Sequence, residues 1–195
     1  MKEPQIILAS ASPRRRQLLD QIGVSCQVMP VDIDETVNAG ESAEDFVTRL
    51  ALEKATTGFA RSETKRPVLG SDTIVLLNKQ ILGKPENRAH GIQMLRALSG
   101  HSHQVLTAVA IVSEDKTQCL LSSSRVLFRT LSEDEIQSYW ETGEPLDKAG
   151  AYAIQGLAAQ FIERLDGSDS GGMGLPLVAT AELLKAFGSG VGRVE

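Results

Sequence analysis

Three arginines stand together at the start of a predicted helix, where their charge is electrostatically unfavourable. Arg14, Arg15 and Arg16 occupy the first turn, and Ser10 and Ser12 place hydroxyl groups beside the free amides of the helix start. The positive end of the helix dipole disfavours each cation by about 0.3–1 kcal/mol, so we expect an anion to compensate them. Guanidinium groups, hydroxyls and amides together predict a phosphate site without a Walker loop, the alternative being a solvated basic turn.

Two lysines fall where a cation is unusual. Lys54 lies on the helical stripe of Val47, Leu50 and Ala51, which the periodicity directs towards the core. Its ammonium either snorkels to solvent along its own alkyl chain or serves a pocket. Lys84 stands between a glycine and a proline, at a break in the backbone pattern. Both lysines are therefore candidate ligands for an anion.

Candidate carboxylates lie in two segments. Asp72 interrupts a stretch otherwise suited to burial, and a buried carboxylate needs a partner. Three roles are open to Asp72: it accepts hydrogen bonds from backbone amides in a bend, it holds a divalent cation, or it takes a proton from water. Asp32, Asp34 and Glu35 follow a predicted strand and offer further hard oxygen ligands, the alternative being a solvated acidic loop.

Two other sequence patterns resemble functional sites, and we reject both interpretations. The Asp-Ser-Gly-Gly sequence at 169–172 resembles the nucleophile segment of chymotrypsin-like proteases, but the matching histidine element is missing. His101 and His103 alternate as on one face of a strand, yet no third zinc ligand follows at a useful spacing. We interpret both histidines as ordinary residues of a sheet edge.

Composition excludes several classes of protein. Among 195 residues, 20 Lys and Arg against 25 Asp and Glu give a net charge of −5, and aromatic residues make up 4%, so nucleic-acid binding is not expected. Cys26 and Cys119 are too few for a disulfide scaffold. No window approaches the ~18 apolar residues of a membrane span. We expect a soluble cytoplasmic protein without a membrane or nucleic-acid partner.

The hydrophobic pattern predicts one α/β domain over residues 1–195, with a mixed sheet and flanking helices. Predicted strands cover 6–9, a segment that precedes Asp32, 67–77 with an interruption at 70–73, 81–82, 103–112, 118–128, 152–155 and 160–164. Predicted helices begin near residues 13, 42, 87, 133 and 177, with caps that include Ser12, Ser42 and Ser132. The tail from 188 to 195 is expected to be disordered.

Seven motifs, taken in order, resemble those of the Maf family of nucleoside triphosphate pyrophosphatases. They are LASASPRR at 8–15, DE at 34–35, RLALEKA at 49–55, GSDT at 70–73, GKP at 83–85, DKAGAY at 147–152 and GLP at 174–176. The resemblance implies an elongated mixed sheet of the inosine-triphosphatase type, with two lobes around a central cleft, in a homodimer. It also implies hydrolysis of a nucleotide between its α and β phosphates, with a divalent metal cation, Mg²⁺ or Mn²⁺.

The resemblance also implies roles for individual residues. Asp72 is expected to be the proton acceptor, and both Asp72 and Glu35 are expected metal ligands. The other expected catalytic residues, which stabilise phosphate charge, are Arg15, Lys54 and Lys84. The expected substrate-binding residues are Ser10, Ser12, Arg14, Thr73 and Gln155.

Arg14, Thr73 and Gln155 are similar to the family branch that acts on dTTP and UTP. The Gln155 carboxamide offers an acceptor and a donor, which match N3–H and a carbonyl of uracil or thymine. The alternatives are a 7-methyl-GTP or modified-nucleotide pyrophosphatase, and a non-catalytic nucleotide-binding regulator of septum formation. Residues 168–173 depart from the family pattern, and we expect a floppier loop there.

Overall fold

The computed structural model describes residues 3–188. Seven strands form one sheet within this range. They are β1 (Ile6–Leu8), β2 (Cys26–Val28), β3 (Val68–Leu77), β4 (Gln80–Leu82), β5 (Ser102–Val112), β6 (Thr117–Phe128) and β7 (Ile162–Asp166). The order is β2-β1-β3-β5-β6-β7, and β4 pairs with β3. β1 is parallel to β2 and β3, whereas the β3–β4 and β6–β7 pairs are antiparallel, so the predicted mixed sheet is confirmed.

Six α-helices accompany the strands in the described range. They are α1 (Pro13–Gln21), α2 (Ala43–Arg61), α3 (Arg88–Leu98), α4 (Glu133–Glu141), α5 (Asp169–Gly172) and α6 (Leu177–Ala186). Short 3₁₀ turns occupy Glu144–Asp147, Ala149–Ala151 and Leu157–Phe161. The predicted caps Ser12, Ser42 and Ser132 each accept an amide of their helix's first turn. Residues 3–188 contain no helix that combines the length and the apolar character needed to cross a membrane.

The described chain forms two compact units. The first contains residues 3–72, 107–122 and 174–188, and the second contains 73–106 and 123–173. A small core in the first unit joins β1 to β3 through Ile7, Ala9 and Val68. The larger core of the second unit includes packed rings of Phe128, Tyr152 and Phe161. The single domain and the central cleft stay predictions, and the expectation for the tail falls on 189–195, outside the described residues.

The predicted interruption at 70–73 is wrong, because β3 runs unbroken from Val68 to Leu77. Gly70 is a strand residue whose missing side chain lets α2 pack directly on the sheet. A Cβ atom there would lie 2.5 Å from the backbone nitrogen of Ala55. Asp72 is tolerated in the same strand because a cation from α2 is its partner. A tight turn at Asn78 and Lys79, with φ values of 49° and 67°, joins β3 to β4.

The predicted strand at 152–155 is also wrong, and the next strand begins at Ile162 rather than at 160. Residues 152–154 are buried, as the apolar pattern indicated, but two of their polar groups are paired with side chains rather than with a neighbouring strand. The Tyr152 hydroxyl lies 2.7 Å from Nε2 of His103, and the Ala153 amide donates to Oη of Tyr139 at 3.2 Å. A buried apolar segment therefore gave the same sequence pattern as a buried strand. His103 is buried on β5, between β3 and β6, so its interpretation as a sheet-edge residue is wrong.

Candidate active site

The turn between β1 and α1 holds Arg15 in a fixed position. Ser12 caps α1 by accepting the Arg15 amide at 3.5 Å, and its own amide donates to Oγ of Ser10 at 3.2 Å. The same Ser10 oxygen accepts a hydrogen bond from Nη1 of Arg15 at 3.1 Å. The predicted hydroxyl and guanidinium groups thus come together at the helix start.

A buried carbonyl provides the second support of Arg15, which the sequence did not indicate. Nε of Arg15 donates to the carbonyl oxygen of Gly174 at 2.9 Å. Oγ of Ser71, a residue that is completely buried in β3, donates to the same oxygen at 3.0 Å. Ser71 lies in the GSDT motif and Gly174 in the GLP motif. The sequence therefore indicated both motifs but not the contact between them.

Lys54 joins two carboxylates. Its Nζ atom lies 2.6 Å from Oδ1 of Asp72 and 2.8 Å from Oε1 of Glu35. The Lys54 and Asp72 side chains are each 12% exposed, whereas the Glu35 side chain is 47% exposed. The snorkelling alternative is therefore wrong, because the ammonium points from α2 to the carboxylate of β3. This cluster opens to solvent on the side of Glu35.

Arg15 interacts electrostatically with the carboxylates of Asp72 and Glu35. Burial lowers the pKa of Arg15 from its usual value, while the negative charges of Asp72 and Glu35 oppose this shift and the charge of Arg14 adds to it. Two cations and two carboxylates thus interact within the first unit. We call Arg15, Lys54, Asp72 and Glu35 the charged cluster.

A hydrogen-bonded loop carries Glu35, and Arg49 anchors this loop to α2. Nε of Arg49 lies 2.6 Å from Oε1 of Glu41, and its Nη2 donates to Oε2 of Glu41 and to the carbonyl of Thr36, both at 2.9 Å. Asp34 accepts hydrogen bonds from the amide and the hydroxyl of Thr36 at 2.9 and 2.6 Å. The backbone of Thr36, next to Glu35, is therefore held at both its amide and its carbonyl. Arg49 lies in the RLALEKA motif, but nothing in its residue type or spacing indicated this function.

The other predicted phosphate-binding cations have no such partners. Within residues 3–188, neither the Arg14 nor the Lys84 side chain forms a hydrogen bond or ion pair. Arg14 is partly buried in the first turn of α1, and Lys84 is exposed just after β4 in the second unit. Thr73 follows Asp72 on β3, so its side chain points to the opposite face of the strand.

Gln155 is exposed in the second unit, and its amide is held by a residue from the unusual segment 168–173. Nε2 of Gln155 donates to Oδ2 of Asp169 at 3.1 Å. The segment forms the short helix α5, which Ser168 caps by accepting the Gly171 amide at 2.9 Å, and the greater flexibility that we expected there stays a prediction. A capping serine and small residues allowed a turn of helix that the family pattern did not indicate.

The charged cluster contains two carboxylates, which are the ligand type that Mg²⁺ takes in proteins. Mg²⁺ is usually held by one or two carboxylates together with substrate phosphates, and Asp72 and Glu35 supply two carboxylates that reach one ammonium. Among residues 3–188, no group of three or more His, Cys, Asp or Glu side chains is arranged to hold a metal ion. A divalent cation here would therefore need further oxygen ligands from substrate or water.

The chain combines a mixed α/β sheet, a β1–α1 turn that carries hydroxyl and arginine groups, and a lysine–carboxylate cluster in the first unit. These features place it among the α/β proteins. The family model described as "Maf-like protein" matches residues 5–187, so the chain belongs to the Maf family. This finding confirms the family indicated by the seven motifs.

Curated relatives share about half of the sequence over nearly the whole chain. A protein of Alkalilimnicola ehrlichii named dTTP/UTP pyrophosphatase is 53% identical over 189 residues, which cover 94% of this chain and 93% of the relative. A Pseudoalteromonas translucida protein with the same name is 49% identical and covers 93% and 96% of the two chains. Salmonella typhimurium has a relative of that name that is 50% identical, with coverage of 93% and 92%.

Solved structures give more distant matches. A nucleoside-triphosphatase / dITP/XTP pyrophosphatase from Mycobacterium abscessus is 18% identical, with a TM-score of 0.42 over 65% of this chain and 74% of that one. The Ham1 protein of Staphylococcus aureus is 15% identical, with a TM-score of 0.44 over 63% and 71%.

Proposed function

We propose that this protein is a nucleoside triphosphate pyrophosphatase that hydrolyses dTTP and UTP to the nucleoside monophosphate and pyrophosphate. The observation that carries the proposal is the contact of Lys54 with both Asp72 and Glu35, beside the immobilised Arg15. Relatives of about 50% identity, named dTTP/UTP pyrophosphatase, supply the substrate.

Asp72 is the proton acceptor in this mechanism. Its carboxylate takes a proton from the water that attacks the α phosphorus, and the bond to the bridging oxygen of the β phosphate breaks. Lys54, at 2.6 Å, fixes the position of the Asp72 carboxylate. Negative charge that develops on the departing pyrophosphate is stabilised by Arg15, Lys54 and Lys84, since this chemistry gains most of its rate from positioning and charge.

Asp72 and Glu35 are the proposed ligands of Mg²⁺ or Mn²⁺. When bound, the ion supplies charge neutralisation at the phosphate oxygens. The two carboxylates bring the negative charge that attracts such an ion, while Lys54 keeps them from repelling each other. Glu35 is the more exposed of the two and is the ligand that solvent reaches first.

The remaining proposed residues bind substrate. Ser10, Ser12 and Arg14 contribute hydroxyl and guanidinium donors to phosphate oxygens at the start of α1. Gln155 and Thr73 are the proposed determinants of the base, with an acceptor and a donor of the Gln155 amide facing N3–H and a carbonyl of the pyrimidine. The homodimer, which the family resemblance implies, and the cytoplasmic location, which the low cysteine content indicates, belong to the same proposal.

A pyrophosphate-release screen tests this function. The purified protein is assayed against the common ribo- and deoxynucleoside triphosphates, 7-methyl-GTP and modified triphosphates, with Mg²⁺, with Mn²⁺ and with EDTA. We expect metal-dependent release from dTTP and UTP above all others. Preferred release from 7-methyl-GTP or a modified nucleotide would assign another substrate. Nucleotide binding without metal-dependent release would assign a non-catalytic regulator.

A further inference from the structure

A glutamine side chain by itself does not distinguish uracil from cytosine. Uracil and thymine present a donor at N3 beside a carbonyl acceptor, whereas cytosine presents an acceptor at N3 beside an amino donor. Rotating the carboxamide by 180° exchanges its oxygen and nitrogen, so a freely rotating amide matches either edge. Selectivity by Gln155 therefore requires a neighbour that fixes which end of the amide is the nitrogen.

Asp169 is such a neighbour. Its Oδ2 atom lies 3.1 Å from Nε2 of Gln155. An ionised carboxylate only accepts hydrogen bonds, so it attracts the NH₂ end of the amide and repels the carbonyl end. One N–H of Gln155 is used in this contact. The second N–H and Oε1 therefore keep a fixed order, so that a base edge is matched in one order of donor and acceptor only.

The backbone around Gln155 is also held in place. The Ala153 amide donates to Oη of Tyr139 at 3.2 Å, and the Leu157 amide donates to Oε2 of Glu144 at 3.0 Å. Tyr139 and Glu144 are themselves joined by a hydrogen bond of 2.7 Å. Contacts two residues before and two residues after Gln155 therefore limit its main-chain movement. The orientation of its side-chain amide then depends on the side chain's own partner.

The helix that carries Asp169 is anchored independently. Oγ of Ser124, on β6, donates to the carbonyl of Ser168 at 2.9 Å. Oγ of Ser168 accepts the Gly171 amide at 2.9 Å and so closes the first turn of α5. Asp169 is thereby held next to Gln155 by contacts that do not involve Gln155.

We propose that Asp169 is a specificity-determining residue, which fixes the amide of Gln155 so that it accepts uracil and thymine and rejects cytosine. This inference rests on the proposed function, because it assumes that Gln155 reads the base. It assigns the selectivity to a carboxylate of segment 168–173, the part of the chain that departs from the family pattern. Asp169 acts through Gln155 and does not itself touch the nucleotide.

Substitution of Asp169 tests the proposal. In Asp169→Asn, the new amide both donates and accepts, so Gln155 is free to present either order. We expect the ratio of kcat/KM for dTTP over dCTP to fall by roughly 10- to 100-fold, the worth of one hydrogen bond to a charged group, chiefly through increased turnover of dCTP. Asp169→Glu, which retains an acceptor, is expected to restore part of the ratio. Asp166→Asn removes an exposed carboxylate from β7 and is the matched control, with an unchanged ratio.

A binding measurement separates this inference from the proposed function. Calorimetric titration with dTMP and dCMP compares the parent protein with Asp169→Asn. A parent protein that binds dTMP better than dCMP, together with loss of this preference in Asp169→Asn, supports the inference even when no triphosphate is hydrolysed. An unchanged preference and an unchanged kcat/KM ratio in Asp169→Asn would overturn it. Failure of the parent to release pyrophosphate would overturn the proposed function alone.

Discussion

Lys54 on α2 lies 2.6 Å from Asp72 on β3 and so ties the longest helix to the strand that carries the proposed proton acceptor. The same ammonium reaches Glu35 at 2.8 Å, so three separate segments meet at one atom. Removing either partner of a buried charge pair leaves the other charge uncompensated. The charged cluster is therefore a unit, in which a change at one residue alters the environment of the others.

Asp72→Asn is the most direct test of the proton acceptor. The amide keeps the size of the side chain and still accepts a hydrogen bond from Lys54, but it takes no proton from water. We expect kcat for pyrophosphate release to fall by about 10²–10⁴, with little change in KM. Asp20→Asn, at an exposed residue of α1, is the control with normal turnover. An Asp72→Asn protein that matched the parent would exclude this role.

Gln155→Glu tests the recognition of the base. A carboxylate accepts hydrogen bonds only, so it has no donor for a pyrimidine carbonyl, and it stands against the negative charge of Asp169. We expect kcat/KM for dTTP and UTP to fall by roughly 10- to 100-fold, the range for losing a hydrogen-bond donor at a recognised group. Gln160→Glu, on the exposed 3₁₀ turn nearby, controls for the added charge. Equal selectivity of parent and variant over the nucleotide panel would refute a base-reading role.

Local chemistry made much of the fold predictable from the sequence. Ser12, Ser42 and Ser132 marked helix starts correctly because a capping hydroxyl satisfies amides a few residues away. Errors arose where distant residues took over. Asp72 belongs to a continuous strand because Lys54 compensates it, and Tyr152 is buried without a strand because His103 provides its polar partner.

The site was predictable in the same measure. Residue type and placement singled out Lys54 and Asp72, because a charge on an apolar stripe or in an apolar strand needs a partner. Ser71, Arg49 and Asp169 were not singled out. Their partners are a carbonyl 103 residues away, a loop residue 13 residues away and an amide 14 residues away, all beyond the spacing of a helix turn or a tight turn.

Arg49→Lys tests whether the loop anchor positions Glu35. Lysine lacks the planar fork that contacts Glu41 and the Thr36 carbonyl together, so the loop is released while the charge is kept. We expect a several-fold higher Mg²⁺ concentration for half-maximal activity, with kcat at saturating Mg²⁺ close to that of the parent. Weaker Mn²⁺ binding, followed by electron paramagnetic resonance, is the readout independent of turnover.

A second Arg–Glu pair supplies the control for Arg49. Nε and Nη2 of Arg96 each lie 2.7 Å from an oxygen of Glu133, so Arg96→Lys breaks a fork of the same geometry in the second unit. Arg96→Lys is expected to leave the Mg²⁺ dependence unchanged. Equal metal dependence of the two variants would show that Arg49 serves stability alone.

Gly70→Ala tests the close packing of α2 on β3. The added methyl group would lie 2.5 Å from the Ala55 nitrogen, and main chain cannot yield as a flexible side chain can. Overpacking of this kind typically costs about 1–3 kcal/mol of unfolding free energy, measured by urea denaturation. Gly83→Ala is the matched control, because no atom lies within 4 Å of its added methyl group. Equal stability of the two variants would mean that the helix moves away at no cost.

His103 makes the stability of the second unit depend on pH. It is 2% exposed, and burial lowers its pKa from 6.5 to about 4. Between pH 4 and pH 6.5, His103 is protonated in the unfolded chain and neutral in the folded chain. Stability is therefore complete above pH 6.5 and falls as the pH is lowered towards 4, by about 3 kcal/mol for this shift.

Urea denaturation at pH 7.5 and pH 4.5 measures this effect in the parent protein, in His103→Gln and in the control His101→Gln. His103→Gln removes the titrating group, so its midpoint should change least between the two pH values, although the variant is less stable at both. Glu41 and Glu135, whose pKa values are lowered to about 2 by their arginine partners, keep their native-state charge at pH 4.5 and are common to all three proteins. Parallel losses in the three proteins would place the acid sensitivity at other groups, because only His103→Gln lacks the buried imidazole that must be neutral for the fold to form.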